Sequence, residues 1–238
     1  MSTVDPAELT RFEQVAHEWW DPDGHFKPLH QINPLRLAYI RTHLAGAPEA
    51  SLERLTLLDI GCGGGILSES LAQCGACVTA IDRSDKIIAV AQAHQRDSGS
   101  SVQYRVIDTG SLALEQPAAF DAVLAMEVLE HVADIPLFLR ECASLVKPGG
   151  HLFFSTINKT WRAWLLAIVG AEYVLGWLPR GTHQFNKLVP PATVADHLRS
   201  CQIQLQHLSG ISYHPLRQQW HLSRDLSVNY LGVGTRAT

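Results

Sequence analysis

The chain predicts an α/β fold built on a mostly parallel sheet, and three observations carry that expectation. First, the apolar run Leu57-Leu58-Asp59-Ile60 ends in the glycine cluster Gly61-Cys62-Gly63-Gly64-Gly65, and a helical pattern from Ile66 to Ala72 starts directly after it. Second, short apolar runs at 55–60, 76–81, 102–107 and 121–126 alternate with helical segments, the rhythm of parallel strands joined by crossover helices. Third, the second run is followed by a carboxylate, Asp82, about where a dinucleotide fold places a ribose-binding acid.

Taken in order, the elements begin with a helical stretch over about 7–20, a proline-punctuated loop at 21–34 and a helix from Pro34 to about Leu44. A linker of small residues and Pro48 leads to the first strand. The glycine cluster is then required physically, because glycine accepts positive φ and lets the backbone approach a ligand closely. The helix that follows offers unpaired N–H groups at its N-terminus. After the fourth strand, Val146-Lys147-Pro148-Gly149-Gly150 forms a turn into a strand over His151–Thr156. Segments near 202–210, 212–215 and 228–235 supply antiparallel edge strands to finish a seven-stranded sheet. The 238 residues are expected to form a single domain: a helical cap over 1–50, a ligand-binding core over 51–158, an insertion or lid over 159–200, and edge strands over 201–238.

Composition excludes several function classes. A hydrophobic fraction of 46% suffices for one sizeable core. A net charge of −4 and a pI near 6.3 give no general basic surface, which argues against nucleic acid as a partner. The cysteines at 62, 74, 77, 142 and 201 have no framework spacing, as suits a reducing cytosol. Cys74 and Cys77 have C-x-x-C spacing without a second pair, so they read as structural. The first residues, Met1 to Pro6, lack a basic-then-apolar signal, and a cytoplasmic location is expected.

The glycine turn lacks the G-x-G-x-x-G spacing that cradles a pyrophosphate, and Asp59 beside it would repel a phosphate and favour a cationic ligand. The pattern resembles the Rossmann-like class I methyltransferases that use S-adenosylmethionine (SAM). An NAD-dependent oxidoreductase is the rival on a related fold, disfavoured by the glycine spacing; a non-catalytic scaffold of the SAM fold is another. More particular motifs run through most of the chain. They are Trp19-Trp20-Asp21-Pro22, the stretch from Gly24 to Leu37 containing Asn33-Pro34-Leu35-Arg36, Met126-Glu127-Val128-Leu129-Glu130-His131-Val132, Lys147-Pro148-Gly149-Gly150, Phe154-Ser155-Thr156-Ile157-Asn158, Gly170-Ala171-Glu172-Tyr173 and Val228-Asn229-Tyr230. With them the chain resembles the ubiquinone-biosynthesis O-methyltransferase family. That resemblance implies methylation of catechol-type hydroxyls on polyprenylated rings, at both O-methylation steps of the pathway. A metal-free methyltransferase of another small molecule is the nearest alternative.

The resemblance assigns the SAM site to Arg36, Gly61, Asp82 and Met126. Arg36 would close over the SAM carboxylate, which a guanidinium fork binds bidentately. Met126 ends the fourth strand, at the sheet edge where ligands collect. Asp108, at the end of strand three, is a candidate for the adenine amino group.

Glu127, Glu130 and His131 form a second constellation. If Glu127 begins a helical turn, positions i, i+3 and i+4 share one face. The residues alone leave open a ligand set or an acidic helix start that complements the helix dipole. The resemblance adds a divalent cation, Mg²⁺, held by Glu127, Glu130 and His131. Oxygen ligands suit such a hard ion, and His131 is alternatively the general base. The reaction needs a phenolate, yet a phenol near pKa 10 is mostly protonated at neutral pH. His131 is the first candidate proton acceptor, and His183, in a loop after strand five, is the second.

The segment 161–178 holds Trp161, Trp164, Tyr173 and Trp177 among aliphatic residues, too apolar for an ordinary surface connection. Arg162 and Glu172 interrupt a span already short for a membrane crossing. The two readings are an interfacial helix and a buried lid over the active site. The first, aided by Lys159, Arg162, Arg180 and Lys187, puts the enzyme on the inner face of the membrane beside its polyprenylated catechol or hydroquinone substrate, within reach of a ubiquinone-biosynthesis assembly.

Overall fold

All of strand β1 (Thr56–Ile60) except Thr56 is buried. A strand covered on both faces reads as a continuous apolar run, and successive residues serve opposite faces. In the computed structural model, which describes residues 6–165, 185–214 and 219–238, Leu58 and Ile60 enter one core with Phe138, Leu139 and Cys142 of helix α6 (Ile135–Leu145). Leu57 enters the other with Tyr39 and Ile40 of α2 (Lys27–Ala45) and Leu71 of α3 (Ile66–Gln73).

The remaining strands are β2 (Cys77–Asp82), β3 (Gln103–Val106), β4 (Phe120–Met126), β5 (Val146–Ile157), β6 (Ile203–His214), β7 (Gln219–Ser223) and β8 (Asn229–Arg236). They stand in the order β3-β2-β1-β4-β5-β8-β6-β7. β1 to β5 pair in parallel, and β8, β6 and β7 add antiparallel pairs. Helix α4 (Asp85–Ser98) connects β2 to β3, α5 (Thr109–Glu115) lies on the crossover from β3 to β4, and α8 (Pro191–Ser200) precedes β6. The chain moves outward from β1 to β3 and then returns to place β4 on the other side of β1. That reversal opens a crevice at the carboxyl ends of β1 and β4, the place where such sheets bind ligands.

The sheet has eight strands where seven were expected. Residues 212–214 continue β6, and the further edge is β7, paired to them from Ser212↔His221 to His214↔Gln219. Lys147 to Gly150 lies within β5 as an irregularity, with Val146 paired to Phe120 and His151 to Ala122. The N-terminal cap is α1 (Pro6–Gln14) and a 3-10 turn at Ala16–Glu18. Helix α2 begins at Lys27, seven residues before the expected start at Pro34. Pro28 falls in its first turn, where no N–H partner is needed. Pro34 removes an interior hydrogen bond, but Ile32, Tyr39 and Ile40 on the helix pack into the core and hold it together. A short helix, α7 (Trp161–Ala163), follows β5.

Tyr230 of β8 is fully buried and donates its hydroxyl to the Val189 carbonyl at 2.9 Å, tying the antiparallel half of the sheet to the approach of α8. Tyr230→Phe leaves that carbonyl without its partner and is expected to cost about 1 kcal/mol. Urea unfolding should report a lower midpoint with an unchanged slope.

Candidate active site

The glycine turn is anchored before it is available to any ligand. Gly61 and Cys62 donate their N–H groups to the Ile81 carbonyl at 2.9 and 3.1 Å, closing β1 onto β2. Gly61 has φ +66°, and a Cβ there would meet Val128 Cγ2 at 2.8 Å. Gly63 has φ +56° and lies under the Trp19 ring, so both the backbone conformation and the packing demand glycine.

Asp82, at the end of β2, reaches back to this turn. Its Oδ2 accepts from the Gly63 N–H at 3.2 Å and its Oδ1 from the Ser84 N–H at 3.0 Å. Burial raises its pKa, and these backbone hydrogen bonds oppose the rise. Above it the cap is tied down by Glu13, which accepts from Ser84 Oγ at 2.8 Å and Lys86 Nζ at 2.9 Å. Asp108 is engaged locally, since its oxygens accept from the N–H and hydroxyl of Ser111 as the N-cap of α5.

Arg36 on α2 is the buried cation of the crevice, only 5% exposed. Burial pushes its pKa down to about 10, while Asp59 and Glu130 hold it up. It forms an ion pair with Glu127, and its Nε is left without a hydrogen-bond acceptor. Asp59, on β1, accepts from Ser68 Oγ at 2.5 Å. Burial raises the Asp59 pKa to about 6 against the opposing effects of Ser68 and Arg36. Neither the Asp59–Ser68 pair nor the Arg36–Glu127 pair is legible in the sequence, because each joins separate elements.

The structure corrects the expected helical face at 127–131. Glu127 has φ +52° and its N–H bonds to the Ser155 carbonyl at 3.1 Å, so it ends the strand region; a 3-10 turn forms only at Leu129–His131. Glu127 therefore turns to Arg36. Glu130 is buried and accepts from Thr156 Oγ1 at 2.7 Å, leaving Oε1 without a partner. The His131 ring meets the Phe12 ring edge-on, centroids 5.2 Å apart. Among the described residues no three His, Cys, Asp or Glu side chains are gathered so as to hold a metal ion. Met126, at the end of β4, is buried in the core shared with α2 and α3. Arg36, Gly61, Asp82 and Met126 thus all lie about the carboxyl ends of β1, β2 and β4, whereas His183 lies outside the described residues.

A family model described as a methyltransferase domain matches residues 58–154. The fold is similar to that of magnesium protoporphyrin IX methyltransferase from Synechocystis PCC 6803 with bound SAH, at TM-score 0.66 and 18% identity over 98% of this chain and 95% of that one. It is also similar to Burkholderia thailandensis 1,6-didemethyltoxoflavin-N1-methyltransferase, at TM-score 0.65 and 16% identity over 98% of this chain and 88% of that one. The sheet order, the glycine turn and these likenesses define a SAM-dependent methyltransferase of class I fold. The ubiquinone biosynthesis O-methyltransferase of Chromobacterium violaceum is 50% identical over 100% of both chains, and that of Paracidovorax citrulli 50% identical over 99% of this chain and 97% of its own. The chain belongs to the ubiquinone biosynthesis O-methyltransferase family.

Asp59 gives the site a testable pH signature. Folded, it keeps its proton up to about pH 6; the ordinary value is 3.8. Between those values the folded state binds more protons than the unfolded one, so the contribution of Asp59 to stability falls as pH rises. Asp59→Asn cannot ionise and should gain stability relative to wild type as pH goes from about 4 to about 6. Urea midpoints of both proteins across that range check this; a constant difference would contradict it.

Proposed function

We propose that this protein transfers the SAM methyl group to a catechol-type hydroxyl of a polyprenylated ring in ubiquinone biosynthesis, at both O-methylation steps. The observation that carries this reading is the 50% identity over full length to ubiquinone biosynthesis O-methyltransferases. SAM supplies an electrophilic methyl on a sulfonium. Asp82 accepts the ribose hydroxyls, beside a turn whose close backbone admits the ligand. Arg36 binds the SAM carboxylate, supported by its buried charge and its unpartnered Nε. Met126 packs against the donor. The buried carboxylates Asp59 and Glu130 make the crevice favourable to positive charge.

The acceptor side falls to the turn after β4. His131 takes the phenolic proton, with His183 as the second candidate. An open cavity of about 560 Å³ begins at Val132, immediately after His131, and is walled by Ile135, Leu188 and Val189, with Lys159 and Lys187 among its polar lining. Its apolar wall suits the start of a polyprenyl chain. For magnesium the support is the donor set alone, with Oε1 of buried Glu130 unpartnered. Glu127, Glu130 and His131 would hold the ion once Glu127 leaves Arg36, and it would lower the phenol pKa.

Turnover of a short-chain polyprenyl catechol with SAM, before and after EDTA treatment, tests these assignments. The expected outcome is methylation by the untreated enzyme, loss on chelation and recovery with Mg²⁺. Full activity after chelation would remove the metal, and absence of turnover on the catechol would remove the substrate reading.

No helix of the described residues is long and apolar enough to cross a membrane. Peripheral contact is supported by Trp161 and Trp164, 70% and 46% exposed, together with exposed Leu165 and Phe185. Replacing Trp161, Trp164 and Leu165 by serine should reduce liposome co-sedimentation, because each Å² of apolar area withdrawn from water is worth about 25 cal/mol. It should also raise KM for a long-chain substrate and spare a short-chain analogue. Equal loss on both substrates with a lowered melting temperature would mean that the segment covers the core.

A further inference from the structure

Glu69 on α3 is buried, 2% exposed, and takes no part in the donor contacts assigned above. Its Oε1 accepts from His94 Nδ1 at 3.0 Å and its Oε2 from Ser98 Oγ at 2.7 Å, both on α4. An ionised carboxylate only accepts, so Nδ1 carries the proton and the imidazole plane is fixed. That plane lies flat on the Trp20 indole, centroids 3.3 Å apart and 3° from parallel. On the same indole, Nε1–H donates to the Gly64 carbonyl at 2.9 Å. Gly63 and Gly65, on either side of Gly64, both have positive φ. The turn has no bulky side chain of its own to lock it, so its shape depends on contacts supplied from outside. A path of contacts thus leads from a buried carboxylate through two stacked rings to the backbone of the glycine turn.

We propose that Glu69 and His94 are positioning residues for the donor loop: through the Trp20 ring they hold the Gly64 carbonyl, and so keep the 61–65 turn in the shape that receives SAM. This rests on the reading of that turn as the SAM site. The arrangement restrains the loop without touching the donor. Glu69 sets the imidazole, the imidazole sets the tilt of the indole, and the indole N–H sets the carbonyl.

Trp20→Phe keeps a ring for the stack and loses the N–H. It is expected to raise Kd and KM for SAM about three- to tenfold, the loss of one hydrogen bond. Turnover at saturating SAM, KM for the catechol and melting temperature should stay near wild type. His94→Ala should move SAM affinity in the same direction and add nothing further in a Trp20→Phe background, since its influence passes through the missing N–H. Glu69→Gln, which keeps an acceptor for Nδ1–H, should stay close to wild type where Glu69→Leu does not. SAM affinity of Trp20→Phe within twofold of wild type overturns the proposal. Additive losses in the double variant overturn it too, as does a parallel decline of turnover, both KM values and melting temperature. Asp82→Ala separates the two levels. Unchanged SAM affinity there brings down the site assignment itself, whereas weakened binding there with none in Trp20→Phe brings down only the positioning role.

Discussion

The buried guanidinium of Arg36 is the constraint on which the crevice is built. A charge removed from water is costly unless carboxylates and hydrogen bonds surround it. Here α2 supplies the cation, β1 supplies Asp59, and the turn after β4 supplies Glu127 and Glu130. Three elements distant in sequence must therefore meet at one point, and that point is the carboxyl end of the two central strands. The depressed pKa of Arg36 and the raised pKa of Asp59 share a cause, burial of both partners in the same dry region. Opposite charge then limits each shift. The surplus of carboxylates about one guanidinium leaves a field that favours a cationic ligand, as a sulfonium donor requires.

Around that point the fold works by layering. Period-two alternation sends Leu58 and Ile60 to one core and Leu57 to the other, so helices must cover both faces. The cap then adds a third small cluster of Trp19, Phe26, Ile66 and Ile87, which lays Trp19 over Gly63 and brings Trp20 to the Gly64 carbonyl. Glu13, bonded to Ser84 and Lys86, fastens the same cap next to Asp82. The glycine turn is thereby held from the sheet side by the Ile81 carbonyl and from the cap side by the tryptophans.

Methyl transfer by this chain is a matter of placement more than of covalent help from the protein. The sulfonium brings its own leaving group, so the residues need only fix the donor, orient the ring and accept one proton. The ends of β1 and β2 and the turn after β4 are brought together by the reversal of strand order at β1. Arg36 joins them, since it lies near Asp59 of β1 and pairs with Glu127 of the turn after β4.

The glycine turn, Asp82 and the parallel strands were legible in the sequence because each is a local matter: an apolar run, a run of residues without Cβ, an acid at a strand end. The motif around Trp19-Trp20 was visible as a particular pattern, but its chemistry was not, because the indole N–H finds its acceptor 44 residues away. The start of α2 was misplaced for the same reason, as burial of Ile32, Tyr39 and Ile40 outweighs the proline signal at Pro34. Tertiary structure alone decided that Glu127 leaves the face of Glu130 and His131 for Arg36, since a positive φ at one residue redirects its side chain and the buried guanidinium draws it. Sequence by itself determined the class of fold and the glycine turn at the end of β1. Which carboxylate faces which cation was settled by the packing of α2 against the sheet, because charge pairing inside a protein depends on distance and burial, neither of which is written in local order.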